Sequence, residues 1–133
     1  MSAVIKSYRD LVVWQRGLQL IDEIDGIVDC LDSFRKWSIG MQIYRAALSI
    51  VLNVAEGHEA DYPRVYLRSL SDAKGSTREV EAAILVARRR KYLADAKTAP
   101  ALKLVDEIGR MLRSLSTRVR DSAAQTPRRR TST

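Results

Sequence analysis

Basic side chains in the second half of the chain form the largest set of residues whose chemistry suggests a ligand. Residues 1–60 hold six basic and eight acidic side chains, whereas residues 61–133 hold seventeen basic and eight acidic ones, so the net charge of +7 arises from the second half. Such asymmetry favours a polyanionic partner, most commonly nucleic acid. We therefore predict an RNA- or DNA-binding surface. Its predicted residues are Arg64, Arg68, Arg78, Arg88, Arg89, Arg90, Lys103, Arg110, Arg113, Arg120, Arg128, Arg129 and Arg130.

The same charges also have simpler interpretations. A basic surface can serve solubility alone, and Arg88, Arg89 and Arg90 fall at the C-terminal end of a predicted helix, where cations complement the helix dipole. Aromatic side chains that could stack on single-stranded bases are scarce outside predicted core positions. If nucleic acid is bound, the sequence favours salt-sensitive contacts to the phosphate backbone over readout of the bases.

The sequence contains no set of residues typical of an enzyme or a metal centre. The single histidine, His58, lies beside Glu56 and Glu59, but a di-iron bundle needs two histidines. No glycine-rich phosphate loop, nucleophile elbow or Ser–His–acid set is found. With one cysteine, Cys30, no intrachain disulfide forms, and residues 1–10 lack the features of a secretory signal. We expect a cytoplasmic, non-enzymatic protein without cofactors, with His58 on the surface and a structural role for Cys30.

Residues 38–57 are the most apolar stretch and predict the central helix. Twelve of the seventeen residues in 39–55 are apolar and surround the helix, so we expect it to be buried on all sides. Polar residues, among them Arg45 and Asn53, interrupt the stretch and argue against a membrane span. The helix is predicted to begin after a short connection over 32–38, with Ser38 as its N-cap.

A first helix is predicted over residues 8–31, where apolar residues recur at spacings of three and four. Two rows of apolar residues lie side by side, and their combined width suggests contact with another subunit. The row predicted to form the bundle seam is Leu11, Trp14, Leu18, Ile21 and Val28. The second row is Val13, Leu20, Ile24, Ile27 and Leu31.

Two further helices follow, over residues 63–90 and 98–120, and both carry regular heptad seams. Asp61 is the predicted cap of the third helix, Gly75 suggests close approach of a neighbouring helix, and Pro100 is expected in the first turn of the fourth. The seam of the third helix is Tyr66, Leu70, Ala73, Thr77, Val80, Ile84 and Ala87. The seam of the fourth is Ala101, Val105, Ile108, Leu112, Leu115 and Val119.

Four helices with short connections predict an all-α fold, an up-down-up-down antiparallel four-helix bundle. We expect this bundle to form a single domain over residues 1–120. The remaining residues, 121–133, have no apolar period and contain three consecutive arginines. They are predicted to form a basic tail that is disordered in isolation.

Three segments resemble the four-helix-bundle proteins encoded in intervening sequences of 23S rRNA genes, the S23-type family. IYRAALSIVLNVAEG, residues 43–57, is similar to the family's hallmark segment. SYRDLVVWQRGLQL and YLRSLSDAKGSTREVE are similar to its opening and its third helix. Tyr44 and Val51 depart from the hallmark, where arginine and proline are usual.

The resemblance implies a ring-forming bundle, with a pentamer as the family's known form. It also implies similarity to the accessory proteins of diversity-generating retroelements, which bind nucleic acid and a reverse transcriptase. Arg45, Asn53, Glu56 and Gly57 match the hallmark, and we expect structural roles for them as internal hydrogen-bonding or interface groups. The predicted partners are other copies of the chain, RNA or DNA, and a reverse transcriptase, with no membrane. The alternative is a protein-interaction scaffold that binds no nucleic acid.

Overall fold

Helices account for the regular secondary structure in a computed structural model, which describes residues 4–125 of the chain. No strand occurs within that range, which confirms the predicted all-α class. The four long helices are α1 (Val12–Asp29), α2 (Met41–His58), α3 (Pro63–Arg89) and α4 (Asp95–Gln125). A short 3₁₀ turn, Tyr8–Asp10, precedes α1, so the predicted start of the first helix lies in a separate turn capped by Ser7.

The chain enters α2 through a helical segment instead of the predicted connection over 32–38. Ser33–Arg35 forms one helical turn, and the Asp32 carboxylate caps it by accepting a hydrogen bond from the Arg35 backbone N–H at 2.9 Å. Lys36–Gly40 continues this turn as a π-helix that leads directly into α2. The predicted Ser38 cap is therefore wrong, because Asp32 starts the helix earlier and Ser38 lies inside it.

The resulting continuous helix, Ser33–His58, is long and apolar enough to cross a bilayer by length and composition alone. The core helix of a soluble bundle passes the same test, and much of α2 is buried within this chain. Its buried residues are Ile43, Ala46, Ala47, Ile50, Val51, Val54 and Gly57. Burial on all sides is nevertheless wrong for the single chain. Because α1 and α3 cover only part of α2, Gln42, Arg45, Leu52 and Glu56 remain exposed.

The helices pack in pairs around one hydrophobic core. Both α1 and α3 contact α2 and α4. On α1, the predicted second row forms the core, since Val13, Leu20, Ile24, Ile27 and Leu31 are all buried. The row predicted to form the bundle seam lies at the margin, and its Leu18 is 40% exposed. The choice between the two rows is therefore wrong, because α2 and α4 approach the second row.

The seams of α3 and α4 are confirmed. All their predicted positions are buried except Tyr66 and Val119, which are half-buried. The helix ends differ from the predictions. Tyr62, without a side-chain hydrogen bond, occupies the N-cap position of α3 in place of Asp61. The fourth helix begins at Asp95, so Pro100 lies inside it. Because proline has no backbone N–H, the Ala96 carbonyl receives no helical hydrogen bond from it. Both residues are exposed to solvent. The helix continues to Gln125, past the predicted boundary at Asp121.

Two glycines allow close helix packing where larger residues would collide. A Cβ at Gly57 would lie 2.8 Å from Ser69 Cβ and 2.9 Å from Tyr66 Cδ1, and a Cβ at Gly17 would lie 2.5 Å from Val51 Cγ1. Gly75 has no neighbouring atom within 4 Å of such a position. The predicted close approach at Gly75 is therefore wrong, and the small residue that α3 needs opposite it is Gly57 on α2.

Candidate nucleic-acid interface

A groove between α3 and α4 brings together basic side chains from both helices. Leu70, Ala73 and Val80 face the core and so turn Lys74 and Arg78 away from it. Lys74, Arg78 and Arg113 line a depression of about 190 Å³. Two carboxylates, Glu81 and Asp106, line its other end. The depression is therefore lined by three cations, with two acidic residues at its margin.

The pKa of Lys74 reflects both its burial and the positive charges near it. Burial lowers the pKa of Lys74 below its usual 10.5, and the charges of Arg120 and Arg113 lower it further. Within residues 4–125, no carboxylate forms an ion pair with Lys74, Arg78, Arg113 or Arg120. An anion bound here would thus relieve repulsion between cations that the chain itself does not neutralise.

Lys74 is the residue of this surface that sequence reasoning missed. It lies next to Ala73, a core position, and is not among the residues predicted for the surface. The signal that could have identified it is its spacing from Arg78, because residues four apart lie on the same face of a helix.

Arg88 has a different role, in the connection between α3 and α4. Its Nε donates to Thr98 Oγ1 at 2.6 Å and its Nη2 donates to the Asp95 carbonyl at 2.9 Å. The guanidinium also lies 3.7 Å from the Asp95 carboxylate. Arg88 is half-buried, and two of its five N–H groups hold the first turn of α4 in place.

Arg89 and Arg90 are exposed beside Lys91, where α3 ends. Lys91 adopts a left-handed conformation with φ of 61°. Its backbone N–H donates to the Arg88 carbonyl at 3.0 Å, and that of Tyr92 donates to the Ala87 carbonyl at 2.9 Å. This is the double hydrogen-bond pattern of a Schellman motif. The cluster therefore combines a defined helix end with a local excess of positive charge.

The other predicted basic residues are more dispersed. Arg64 and Arg68 are exposed on the first turns of α3, and Lys103 is exposed on α4. Arg110 is also exposed, but its Nη2 donates to the Asp106 carboxylate at 2.8 Å. Arg128, Arg129 and Arg130 lie outside the residues that the structure describes. The structure thus brings Arg78, Arg113 and Arg120 together around Lys74 and does not gather all the predicted residues at one site.

The four hallmark residues divide into two pairs. Asn53 is half-buried, and its Nδ2 donates to the Ser49 carbonyl at 2.9 Å and to Ser49 Oγ at 3.0 Å. Gly57 is buried at the contact with α3. Arg45 and Glu56 lie on the exposed face of α2, so they form no internal hydrogen bonds within the described residues, and their role as interface groups stays a prediction.

His58 and Cys30 differ in their surroundings. His58 is half-buried, not on the surface, and its ring meets that of Tyr66 edge-on with centroids 6.0 Å apart. Its Nδ1 lies 3.6 Å from the Glu59 carboxylate. Cys30 is exposed, and its thiol donates to the Gly26 carbonyl at 3.4 Å. No group of three His, Cys, Asp or Glu side chains that could hold a metal ion occurs in the described range.

Comparison with known proteins identifies the family. The chain matches none of the curated proteins with which it was compared. The model of the 23S rRNA-intervening sequence protein family matches residues 9–114, well over half of the chain. This range includes all of α1, α2 and α3, and most of α4. The chain therefore belongs to the 23S rRNA-intervening sequence protein family.

Proposed function

We propose that this protein is a non-enzymatic bundle that binds the phosphate backbone of RNA or DNA through the groove between α3 and α4. The observation that carries the proposal is the convergence of Lys74, Arg78 and Arg113 on one groove, where no carboxylate forms an ion pair with these cations among the described residues. Such a site gains most from a ligand with closely spaced negative charges. Membership of a family named for an rRNA-intervening sequence is compatible with an RNA-related role.

We infer an up-down-up-down order for the four helices. Each helix contacts its neighbours in chain order, and α4 returns to contact α1. Arg16, near the start of α1, donates to Glu107 in α4 at 3.0 Å, and Gly17 faces Val51 in α2. Short connections between long helices favour antiparallel neighbours. This arrangement leaves one side of α2 and the outer faces of α3 and α4 available to partners.

The exposed face of α2 supports assembly into a ring. Arg45, Leu52 and Glu56 lie along it, and Phe34 and Trp37, just before α2, are 79% and 78% exposed. Apolar side chains exposed to this degree are common at protein interfaces. We propose a homopentamer, as the family resemblance implies, that acts in the cytoplasm, does not bind membranes and can accept a reverse transcriptase as a partner.

A protein-interaction scaffold is the second candidate. It is favoured by the same exposed Phe34 and Trp37, which contribute contact area to a protein partner but nothing to phosphate recognition. In this case the charge of α3 and α4 serves solubility. The two functions differ in their dependence on salt, because phosphate contacts release counterions and apolar contacts do not.

Fluorescence anisotropy with mixed-sequence RNA and DNA, single- and double-stranded, tests the leading proposal. Affinity should fall steeply between about 50 and 200 mM salt, with little dependence on sequence. Absence of binding at the lowest salt, or binding that is insensitive to salt, would refute phosphate recognition and favour the scaffold. Light scattering on the same samples measures the assembly, and a monomer at micromolar concentration would contradict the ring.

The pKa of Lys74 offers a test that is specific to the groove. A bound phosphate stabilises the charged amine, so the Lys74 pKa should rise on addition of nucleic acid. Affinity is then full below the pKa of the free protein and decreases as the pH rises through the pKa of the complex. NMR titration of the Lys74 side chain measures both values, and a pKa that is unchanged by a bound nucleic acid would place the contact elsewhere.

A further inference from the structure

A second concave site lies at the opposite face of α4, where the N-terminal segment and the α2–α3 connection meet the C-terminal half of that helix. Its volume is about 780 Å³, within the range of small-molecule sites. Leu11, Val13, Leu115 and Val119 form much of its wall. Val13 and Leu115 belong to the hydrophobic core, so the cavity is an open extension of that core at one end of the bundle.

Two residues that line this cavity each carry a buried polar atom without a hydrogen-bond partner among the described residues. These atoms are Tyr66 Oη and His58 Nδ1. Gly57 allows this arrangement, because a Cβ there would lie 2.9 Å from the Tyr66 ring. Burial raises the pKa of Tyr66, so the hydroxyl remains protonated and able to donate. Unsatisfied buried polar groups are destabilising, and a ligand that bonds to them recovers that free energy.

A cation faces the same cavity. Arg118 lines it and lies close enough to Tyr66 to lower the pKa of the phenol, against the larger effect of burial. No ion pair within residues 4–125 includes Arg118. Two carboxylates also line the cavity: Asp61, which is exposed, and Asp10, whose Oδ2 already accepts the backbone N–H groups of Lys6 and Ser7 at 2.8 and 3.2 Å.

We propose that this cavity binds a small amphipathic monocarboxylate, with its apolar chain against Leu115 and Val119 and its carboxylate toward Arg118 and Tyr66. An anionic acceptor satisfies the guanidinium and the phenol together, whereas an alcohol satisfies only the phenol and an amine is repelled by Arg118. This site is separate from the groove between α3 and α4, and the proposal does not depend on nucleic-acid binding.

Isothermal titration calorimetry with three ligands of equal chain length tests the chemistry. Octanoate should bind to the full-length protein, octanol at least about fivefold more weakly, and octylamine should not bind measurably. Octanol that binds as tightly as octanoate would overturn the assignment of a carboxylate site. Absence of octanoate binding would overturn the proposal as a whole.

Variants locate the site. Arg118→Gln should weaken octanoate binding by about tenfold, since it removes a charged hydrogen-bond donor, and should leave octanol binding unchanged. Lys97→Gln is the control, because it removes an equal charge from an exposed position near the other end of α4. Equal effects of the two variants would indicate a general charge effect and contradict the proposal.

Two further variants distinguish the contribution of the Tyr66 hydroxyl from that of the cavity volume. Tyr66→Phe should weaken octanoate binding by about threefold to tenfold, and Tyr92→Phe, a phenol outside the cavity, should have no effect. Ala123→Trp, at the half-buried rim, should fill the cavity and abolish binding. Thermal unfolding confirms that each variant is folded. A folded Ala123→Trp protein that binds octanoate normally would show that the ligand lies elsewhere.

Discussion

The two sides of α3 make different kinds of contact with the rest of the bundle. Toward α2 the contact is close and uncharged: Gly57 allows the backbones to approach, and Ser76 Oγ donates to Ser49 Oγ at 2.9 Å. Toward α4 the outer edge of the contact is a groove lined by cations, among them Lys74 and Arg113. One side of the helix therefore makes close, uncharged contacts, whereas the other gathers like charges at the edge of the bundle.

The largest expected effect concerns the charged side. Changing Lys74, Arg113 and Arg120 together to Gln should weaken nucleic-acid binding about 100-fold at low salt and reduce the salt slope by about 3, because three phosphate contacts are lost. Stability should not decrease, since these side chains repel one another. Anisotropy and thermal unfolding measure the two quantities.

A matched control changes Lys6, Arg9 and Lys97 to Gln. These residues are exposed, lie outside the groove and account for the same loss of charge. If the control weakened binding as much as the groove variant did, net charge and not the groove would explain the affinity. The same comparison with Arg64 and Arg68, which lie outside the groove, changed to Glu tests whether the interface extends along α3.

The next largest effect concerns the close side. Gly57→Ala should destabilise the protein by about 1–3 kcal/mol, as expected for overpacking of a tight contact. The added methyl group meets Ser69 Cβ and the Tyr66 ring, and Ser69 Cβ is bonded directly to the backbone of α3, so it cannot move without displacing that helix. Chemical denaturation measures the change, and a variant as stable as the parent protein would show that the two helices separate easily.

A smaller effect is expected at the polar contact between α2 and α3. Ser76→Ala removes the buried hydrogen bond to Ser49 and should reduce stability by about 1 kcal/mol. Ser49 Oγ still accepts a hydrogen bond from Asn53, so no group is left entirely unsatisfied. If Ser76→Ala reduced stability more than Gly57→Ala, the hydrogen bond between Ser76 and Ser49 would be more important than the close packing at Gly57.

The smallest effect has the opposite sign. Gly75→Ala should stabilise the protein by about 0.5–1 kcal/mol, because Gly75 is exposed in the middle of α3 and an added Cβ meets nothing within 4 Å. Denaturant midpoints of the Gly57 and Gly75 variants give a direct comparison within one helix pair. Destabilisation at Gly75 would indicate that this surface is covered in the assembled protein.

Periodicity predicted the parts of the fold that depend on a repeating pattern. Leu70, Val80 and Ile84 lie in the core because heptad spacing fixes the buried face of α3. The row of α1 that faces the core was mispredicted, since Leu18 and Leu20 have the same chemistry and only the approach of neighbouring helices distinguishes them. Ends of helices depend on single hydrogen bonds, and Asp32 and Ser38 are both suitable caps.

The candidate sites were predictable in part. Exposure of Arg78, Arg113 and Arg120 follows from the seams of their own helices. Their convergence on Lys74 does not, because it depends on the alignment of α3 with α4, which spacing within either helix leaves open. The cavity at Tyr66 could not be predicted from the sequence, because residues from the N-terminal segment, α3 and α4 form it together. The sequence pattern of buried residues also does not indicate that a buried hydroxyl lacks a hydrogen-bond partner.

The π-helical turn at Lys36–Gly40 has a consequence for how this family can change its surface. A π-turn contains one residue more than the α-helical turn that it replaces. It therefore preserves the core-facing register of α2, while the residues before the turn are rotated by about 100° around the helix axis. Phe34 lies before that turn, and Trp37 lies within it. Deletion of one residue there would rotate Phe34 about the helix axis relative to the core-facing side of α2, and with it Arg35, which lies 4.0 Å from the centroid of the Tyr92 ring.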